Sequence, residues 1–312
     1  MTTREPRGRR SLITRHARQL RRFVPAAVEG DDRGVHQARV ASRRLREAVP
    51  VVAPDACRPK ARKTARTIRK LTRALGGVRE LDVTLQLIDE LCAADDLSRP
   101  ALQDVRLHVA AERDRRREEM LERLGELNLA KLDRRLADVA EESACVTTEV
   151  WRQALAARLS KRARRLTAAV EAAGQLYAAE QLHDVRIAAK KLRYGLELAA
   201  EAGITAARPL VRTLKRVQTT LGKLHDLQVL QQHVAAVQLD ASARVSAQDG
   251  LAAVADRLEA RCRVLHGRYV KRIPDLLTVT AAVRADILPH LVRGRTVKMS
   301  LPPKRRRAAG AR

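Results

Sequence analysis

The chain has 312 residues, 45% of them hydrophobic, and carries 63 Lys and Arg against 36 Asp and Glu for a formal net charge of +27. That apolar content excludes a disordered chain, and the length suits one large domain or two of ordinary size. No apolar run approaches the roughly 18 residues of a membrane-spanning helix and no apolar signal core follows the basic N-terminus, so the expected setting is the cytoplasm, with no membrane partner.

Residues 1–10 form a basic N-terminal extension with a charge of +3. Beyond it Ala, Leu, Arg and Glu dominate, and apolar residues recur at helical spacing without strand-like alternation, so the expected fold is all-α. A first half is expected over residues 11–143, with breaks at 30–34, 50–59, Gly76-Gly77, 98–100 and Gly125. The helix after the first break carries His36, Arg39, Arg43 and Arg46. At about 100° per residue these four share an arc of about 80°, while Ala38, Ala41, Leu45, Ala48 and Val49 take the opposite side. One side packs and the other is a cationic rail, with Arg44 beside it as a flanking charge. The next helix repeats the device, with Arg62, Arg66, Arg69 and Arg73 within about 60°. Glu80 and Asp82 follow, and are read as internal partners of the arginines in preference to metal ligands.

A break at 143–148 opens a second half, residues 144–292, which reads as a duplicate of the first. Residues 35–46 align with 182–193 at an offset of 147, and Arg62, Arg66, Arg69 and Lys70 align with Arg208, Arg212, Lys215 and Arg216 at 146. Leu75-Gly76 matches Leu221-Gly222, and residues 80–83 match 226–229. The second rail is therefore His183, Arg186, Lys190 and Arg193, with Lys191 flanking it and Tyr194 beside it to donate a hydroxyl. Arg208, Arg212 and Lys215 follow on the next helix, where Thr219 replaces the fourth arginine. Further breaks at Gly174, 203–209, Gly222, 240–250 and Ile273-Pro274 bring the expected number of helices to about a dozen. Residues 293–312 carry +8 and are expected to be a disordered basic tail. Subtracting both ends from the total leaves +16 on residues 11–292.

A folded body this cationic repels itself and points to a polyanionic partner. A charged helix face is most often merely solvated, but like charges stacked on one face cost a few tenths of a kcal/mol per pair. Repeating that cost in register in both halves is not something folding alone selects. Arg supplies 51 of the 63 basic residues, and its planar fork matches phosphate oxygens two at a time. Phe23, Trp151, Tyr177, Tyr194 and Tyr269 are the aromatic residues, too few and too scattered for base-stacking platforms. This turns the expectation from nucleobases toward bare phosphate. Cys57, Cys92, Cys145 and Cys262 include no C-x-x-C pair, which speaks against both a zinc site and a disulfide framework.

The paired V-H-x-x-R-V-x-x-R-R-L-R and L-H-x-x-R-I-x-x-K-K-L-R-Y segments, each followed by a basic helix and an L-G motif, resemble the CHAD domain, the conserved histidine α-helical domain. The resemblance covers residues 10–290. It implies two four-helix-bundle-like halves related by a pseudo-two-fold axis. It also implies a basic channel lined by His36, Arg39, Arg43, Arg46 and their counterparts, and an affinity for inorganic polyphosphate and its granules. The E-x-E-x-K strands of the tunnel enzymes often fused to this family are absent, so triphosphatase activity is not expected. Two departures stand out. Lys190-Lys191 and Thr219 replace arginines, which makes the second wall the weaker one, and His225 stands where the family often has Asn.

The function expected is non-catalytic binding of inorganic polyphosphate at cytoplasmic granules, where granule proteins are further possible partners. No cofactor and no metal are expected. His36 and His183 should favour binding once protonated in mild acid. Two other classes compete: a basic nucleic-acid-binding protein, for which nucleic acid contact is otherwise only non-specific, and a metal-dependent phosphohydrolase using Glu80, Asp82 and Asp226. The second lacks a nucleophile beside a base and a Gly-rich phosphate loop.

Overall fold

The structure, a computed structural model, describes residues 8–54, 59–94, 98–240 and 245–292. The tail at 293–312 and residues 1–7 of the N-terminal extension lie outside these residues, whereas residues 8–10 already belong to the first helix. All regular elements among the described residues are helical. They are α1 (Gly8–Glu29), α2 (Asp32–Val52), α3 (Pro59–Ala94), α4 (Arg99–Gly125) and α5 (Leu129–Glu142), then α6 (Thr148–Ala173), α7 (Ala179–Glu201), α8 (Ala207–Asp240), α9 (Val245–Val270), α10 (Ile273–Ala282) and α11 (Leu288–Val292). A short 3₁₀ turn, Ser143–Cys145, precedes α6, and a π-helical turn, Val283–Ile287, joins α10 to α11.

Local chemistry sets several starts. Asp31 caps α2 by accepting from the Arg33 and Gly34 amides, Asn128 caps α5 through the Lys131 amide, and Thr147 caps α6 through the Val150 amide. Two expected breaks are absent. α3 runs for 36 residues straight through Gly76-Gly77, and α8 for 34 residues through Gly222. A glycine inside a helix costs about 1 kcal/mol. The buried stripe of Ile68, Leu71, Leu75 and Val78 in α3, and of Leu214, Val217, Leu221 and Leu224 in α8, outweighs that cost.

The helices pack in a pattern stated twice. α1 lies on α2, α2 on α3 and α3 on α4, while α5 closes back onto α1 and α3. In the same way α6 lies on α7, α7 on α8 and α8 on α9, and α10 closes back onto α6 and α8. One continuous apolar core, from Leu12 to Leu291, runs through both sets. The sets meet where α2 touches α6 and α7, where α3 touches α8, and where α4 touches α8 and α9. Charge pairs cross that seam in both directions. Arg15 of α1 reaches Glu201 at the end of α7 at 2.6 Å. Arg162, the aligned position in α6, reaches Glu47 of α2, which also accepts from Arg158 at 3.0 Å. The first link is at the surface and the second is buried.

Candidate anion-binding cleft

The apolar stripe of α2 (Val35, Ala38, Ala41, Leu45) is buried and turns the opposite face outward, toward α7. The same holds for α7, through Leu182, Val185, Ala189 and Leu192. Between these helices, α3 and α8 lies an open cleft of about 250 Å³. His36, Arg39 and Arg43 line it from α2, and Arg186 and Lys190 face them from α7. Arg79 and Glu80 of α3 and Asp226 of α8 complete its charged lining, with Val40, Val83, Thr84 and Val229 between them. Six permanent or potential cations thus surround two carboxylates.

The cations are crowded. Burial, reinforced by Arg43, draws the Arg39 guanidinium down to about 10. Burial also lowers the Arg186 guanidinium, against the opposing pull of Asp226 and Glu80. Lys190 responds most. Burial, followed by the repulsion of Arg186, Arg43 and Arg39, brings its ammonium to about 7. His36 is lowered by burial and then by Arg79, Arg39 and Arg43. Of the carboxylates, Glu80 is held below its ordinary value by a hydrogen bond with His225, whereas burial raises Asp226 against Arg186, His225 and Lys190. The Nε of Arg186 is buried with no hydrogen-bond partner among the described residues.

Glycine contributes to this geometry. A Cβ at Gly76 would stand 2.8 Å from the Arg39 Nη1. The glycine therefore acts as a notch that seats the Arg39 head on α3. The aligned Gly222 faces open space, with nothing within 4 Å of such a Cβ.

The other expected site residues lie around the cleft without lining it. His183 sits at one margin, its Nδ1 3.4 Å from the Nδ1 of His225, whose Nε2 lies 3.2 Å from Glu80 Oε1. This chain of side chains ties the second stripe to the first half. Burial, then His225 and Arg186, lowers the His183 imidazole. Arg193 bonds Glu197 at 2.6 Å and stacks on the Tyr194 ring at 4.5 Å. Tyr194 is half-buried and does not border the cleft. Arg44 shares a small hollow with His16, Glu47 and Tyr194 on the side away from the cleft. Arg46 stands 4.0 Å from Glu47, and the Lys191 carbonyl accepts from Arg162 at 2.7 Å. Arg62, Arg66, Arg69 and Arg73 are exposed along α3, as are Arg208, Arg212 and Lys215 along α8. None of these seven borders the cleft. Arg208 instead adjoins Arg15 and Glu201, and Lys215 lies 3.8 Å from Glu197.

Sequence reasoning passed over Arg79 as a lining residue and over His225 as a bridge. Arg79 lies about 100° off the Arg62–Arg73 direction on the same helix, so the rail arithmetic points away from it. His225 belongs to no charged stripe, and only the fold brings it to Glu80. Asp82 is an internal partner, accepting from Arg113 at 2.7 Å while Arg113 also bonds Asp32 at 2.6 Å. Among the described residues no group of three or more His, Cys, Asp or Glu is arranged to hold a metal ion, and no helix is long and apolar enough to cross a membrane.

The family model described as CHAD domain matches residues 11–235. Solved structures resemble the chain over most of its length. The CHAD domain from the plant Ricinus communis shares 24% identity at a TM-score of 0.56, covering 89% of this chain and 91% of that one. PptA from Streptomyces chartreusis shares 14% identity at a TM-score of 0.55, covering 89% and 98%. At these identities the likeness is one of fold. No curated protein matches the chain.

Proposed function

The chain belongs to the CHAD domain family, and from that premise we propose that it binds inorganic polyphosphate in the cleft between α2, α3, α7 and α8, without catalysing a reaction on it. One observation carries the reading. Arg39 and Arg43 from one half and Arg186 and Lys190 from the other converge on a single space. Crowded cations of like charge destabilise one another, and a linear chain of phosphates relieves that repulsion. Its oxygens accept from the guanidinium forks, and its charge replaces the counterions the walls otherwise gather.

The carboxylates shape the same event. Glu80 and Asp226 partly neutralise the walls of the cleft, and a polyanion must outcompete them. The more highly charged the ligand, the better it does so, which favours a polymer over single phosphate ions. The exposed arginines of α3 and α8 surround the cleft with positive potential and raise the rate of encounter. With no Phe, Trp or Tyr lining the cleft, bare phosphate suits it better than a base. In the cell this binding places the protein at cytoplasmic polyphosphate granules.

The test is a salt series of binding to long-chain polyphosphate and to duplex and single-stranded DNA. The native protein should prefer polyphosphate, with a steep salt dependence of about −0.7 in log–log slope per phosphate contact. The variant His36→Ala/Arg39→Glu/Arg43→Glu should lose affinity by about a hundredfold or more. Native affinity in that variant removes the cleft as the site, and equal affinity for DNA makes this a general polyanion binder.

A further inference from the structure

A hollow larger than the cleft adjoins it. It lies between α3, α8 and α9, has a volume of about 650 Å³, and shares Val83 and Asp226 with the cleft as a common wall. Its cations come mainly from α9: Arg257, Arg261 and Arg268 line it, together with Lys223 of α8. The three arginines fall within about 40° of one another and extend along about 16 Å of helix. This is the device of α2 and α7 on a helix that none of the paired motifs reaches. It also lies beyond residues 11–235, the part of the chain that the family model matches.

Lys223 connects the two sets of charges. It falls within an arc of about 80° that includes Arg208, Arg212 and Lys215, so the exposed α8 rail runs on past Thr219 into the hollow. All four rim cations are exposed, and among the described residues Lys223, Arg261 and Arg268 form no ion pair. The floor beneath them is apolar, made by Leu87, Leu227 and Leu265. A low-dielectric floor under a rim of one sign concentrates the field above it. Glu90 and Asp226 are the acidic residues of the lining, and burial has already raised Asp226.

We infer that the α9 face is a second stretch of the polyanion path: a polyphosphate chain longer than the cleft leaves it over the Val83–Asp226 wall and continues along Lys223, Arg261 and Arg268. This rests on the polyphosphate reading of the cleft and adds to it a dependence on chain length. Short chains engage the cleft alone, while long chains engage both.

The experiment compares tripolyphosphate with long-chain polyphosphate at about 0.15 M salt, where screening over about 8 Å confines each charge to its surroundings. The variant Lys223→Gln/Arg261→Gln/Arg268→Gln should weaken long-chain binding at least tenfold and leave tripolyphosphate within twofold. Its intact short-chain binding serves as the control for folding. A charge-matched variant elsewhere, Arg164→Gln/Arg165→Gln/Arg284→Gln, should bind long chains like the native protein. The inference is overturned if the α9 variant matches the native protein on long chains, if it loses both ligands equally, or if the charge-matched variant loses as much. A native protein that binds neither phosphate polymer overturns the polyphosphate reading itself, which the other outcomes leave standing.

Discussion

Lys190 is the residue at which the cleft's electrostatics are most exposed to measurement. Its ammonium is drawn down to about 7, below the ordinary 10.5. A phosphate chain beside it favours the charged form and raises that value, so binding above about pH 7 draws in a proton, and affinity falls as the pH rises above it. Calorimetry in two buffers of different ionisation enthalpy should show uptake in the native protein and none in Lys190→Met; equal uptake in both would place the proton elsewhere. Folding obeys the same linkage. The unfolded lysine stays protonated up to about 10.5, so the cost of burying the charge is complete below pH 7 and fades as the pH rises above it. Lys190→Met should therefore be more stable at pH 7, by about 1 kcal/mol, while binding less well. His36 and His183 are both lowered from 6.5, so they strengthen binding only in more acid solution. At this scale the stripe residues were legible, because a charged helix face follows from spacing alone. The pull of burial on Lys190 was not, since it depends on arginines from the other half.

Among the elements, α3 and α8 carry the clearest test. Their glycines occupy aligned positions but have different surroundings. Gly76→Ala should displace the flexible Arg39 head and weaken polyphosphate binding severalfold with little loss of stability. Gly222→Ala meets no neighbour and should stabilise the protein by about 0.5–1 kcal/mol with binding unchanged. Thermal melts and binding curves of the two variants decide this, and a Gly76→Ala protein with native affinity would show that the notch does not position Arg39. From sequence both glycines looked like helix breaks, because propensity is local and the buried leucines that override it act across helices. Helical periodicity showed which face of α2 and α7 carries the charge. It could not show that the rails of α3 and α8 lie outside the cleft, because which part of a long helix fronts a neighbour is a matter of packing.

Across the whole molecule, the repeated motifs made the two halves legible, but the links between them are invisible in sequence. The Glu47 cluster joins residues separated by 111 and 115 positions. Burial alone would raise the Glu47 carboxyl, but Arg162 and Arg158 outweigh it and hold it below its ordinary 4.5. The stability this supplies is present above pH 4.5 and is lost as the pH falls through the depressed folded value. Glu47→Ala strands two arginines at the seam and should cost about 3–5 kcal/mol in chemical denaturation. Removing Glu201, at the exposed end of the reciprocal link, should cost less than about 1 kcal/mol. A small effect at Glu47 would mean that the apolar core alone holds the halves together.

The walls of the cleft have a further consequence for this seam. Arg39 and Arg43 belong to one half and Arg186 and Lys190 to the other, so a phosphate chain lying between them grips both at once and acts as a removable crosslink. At a hundredfold excess over its dissociation constant such a ligand adds about 2.7 kcal/mol to the folded state. The melting temperature should rise with polymer concentration in the native protein and stay flat when Arg186 and Lys190 are replaced by Gln. On the polyphosphate reading proposed above, the joint between the halves tightens and slackens with the amount of polymer around it, and the rigidity of the molecule becomes its gauge.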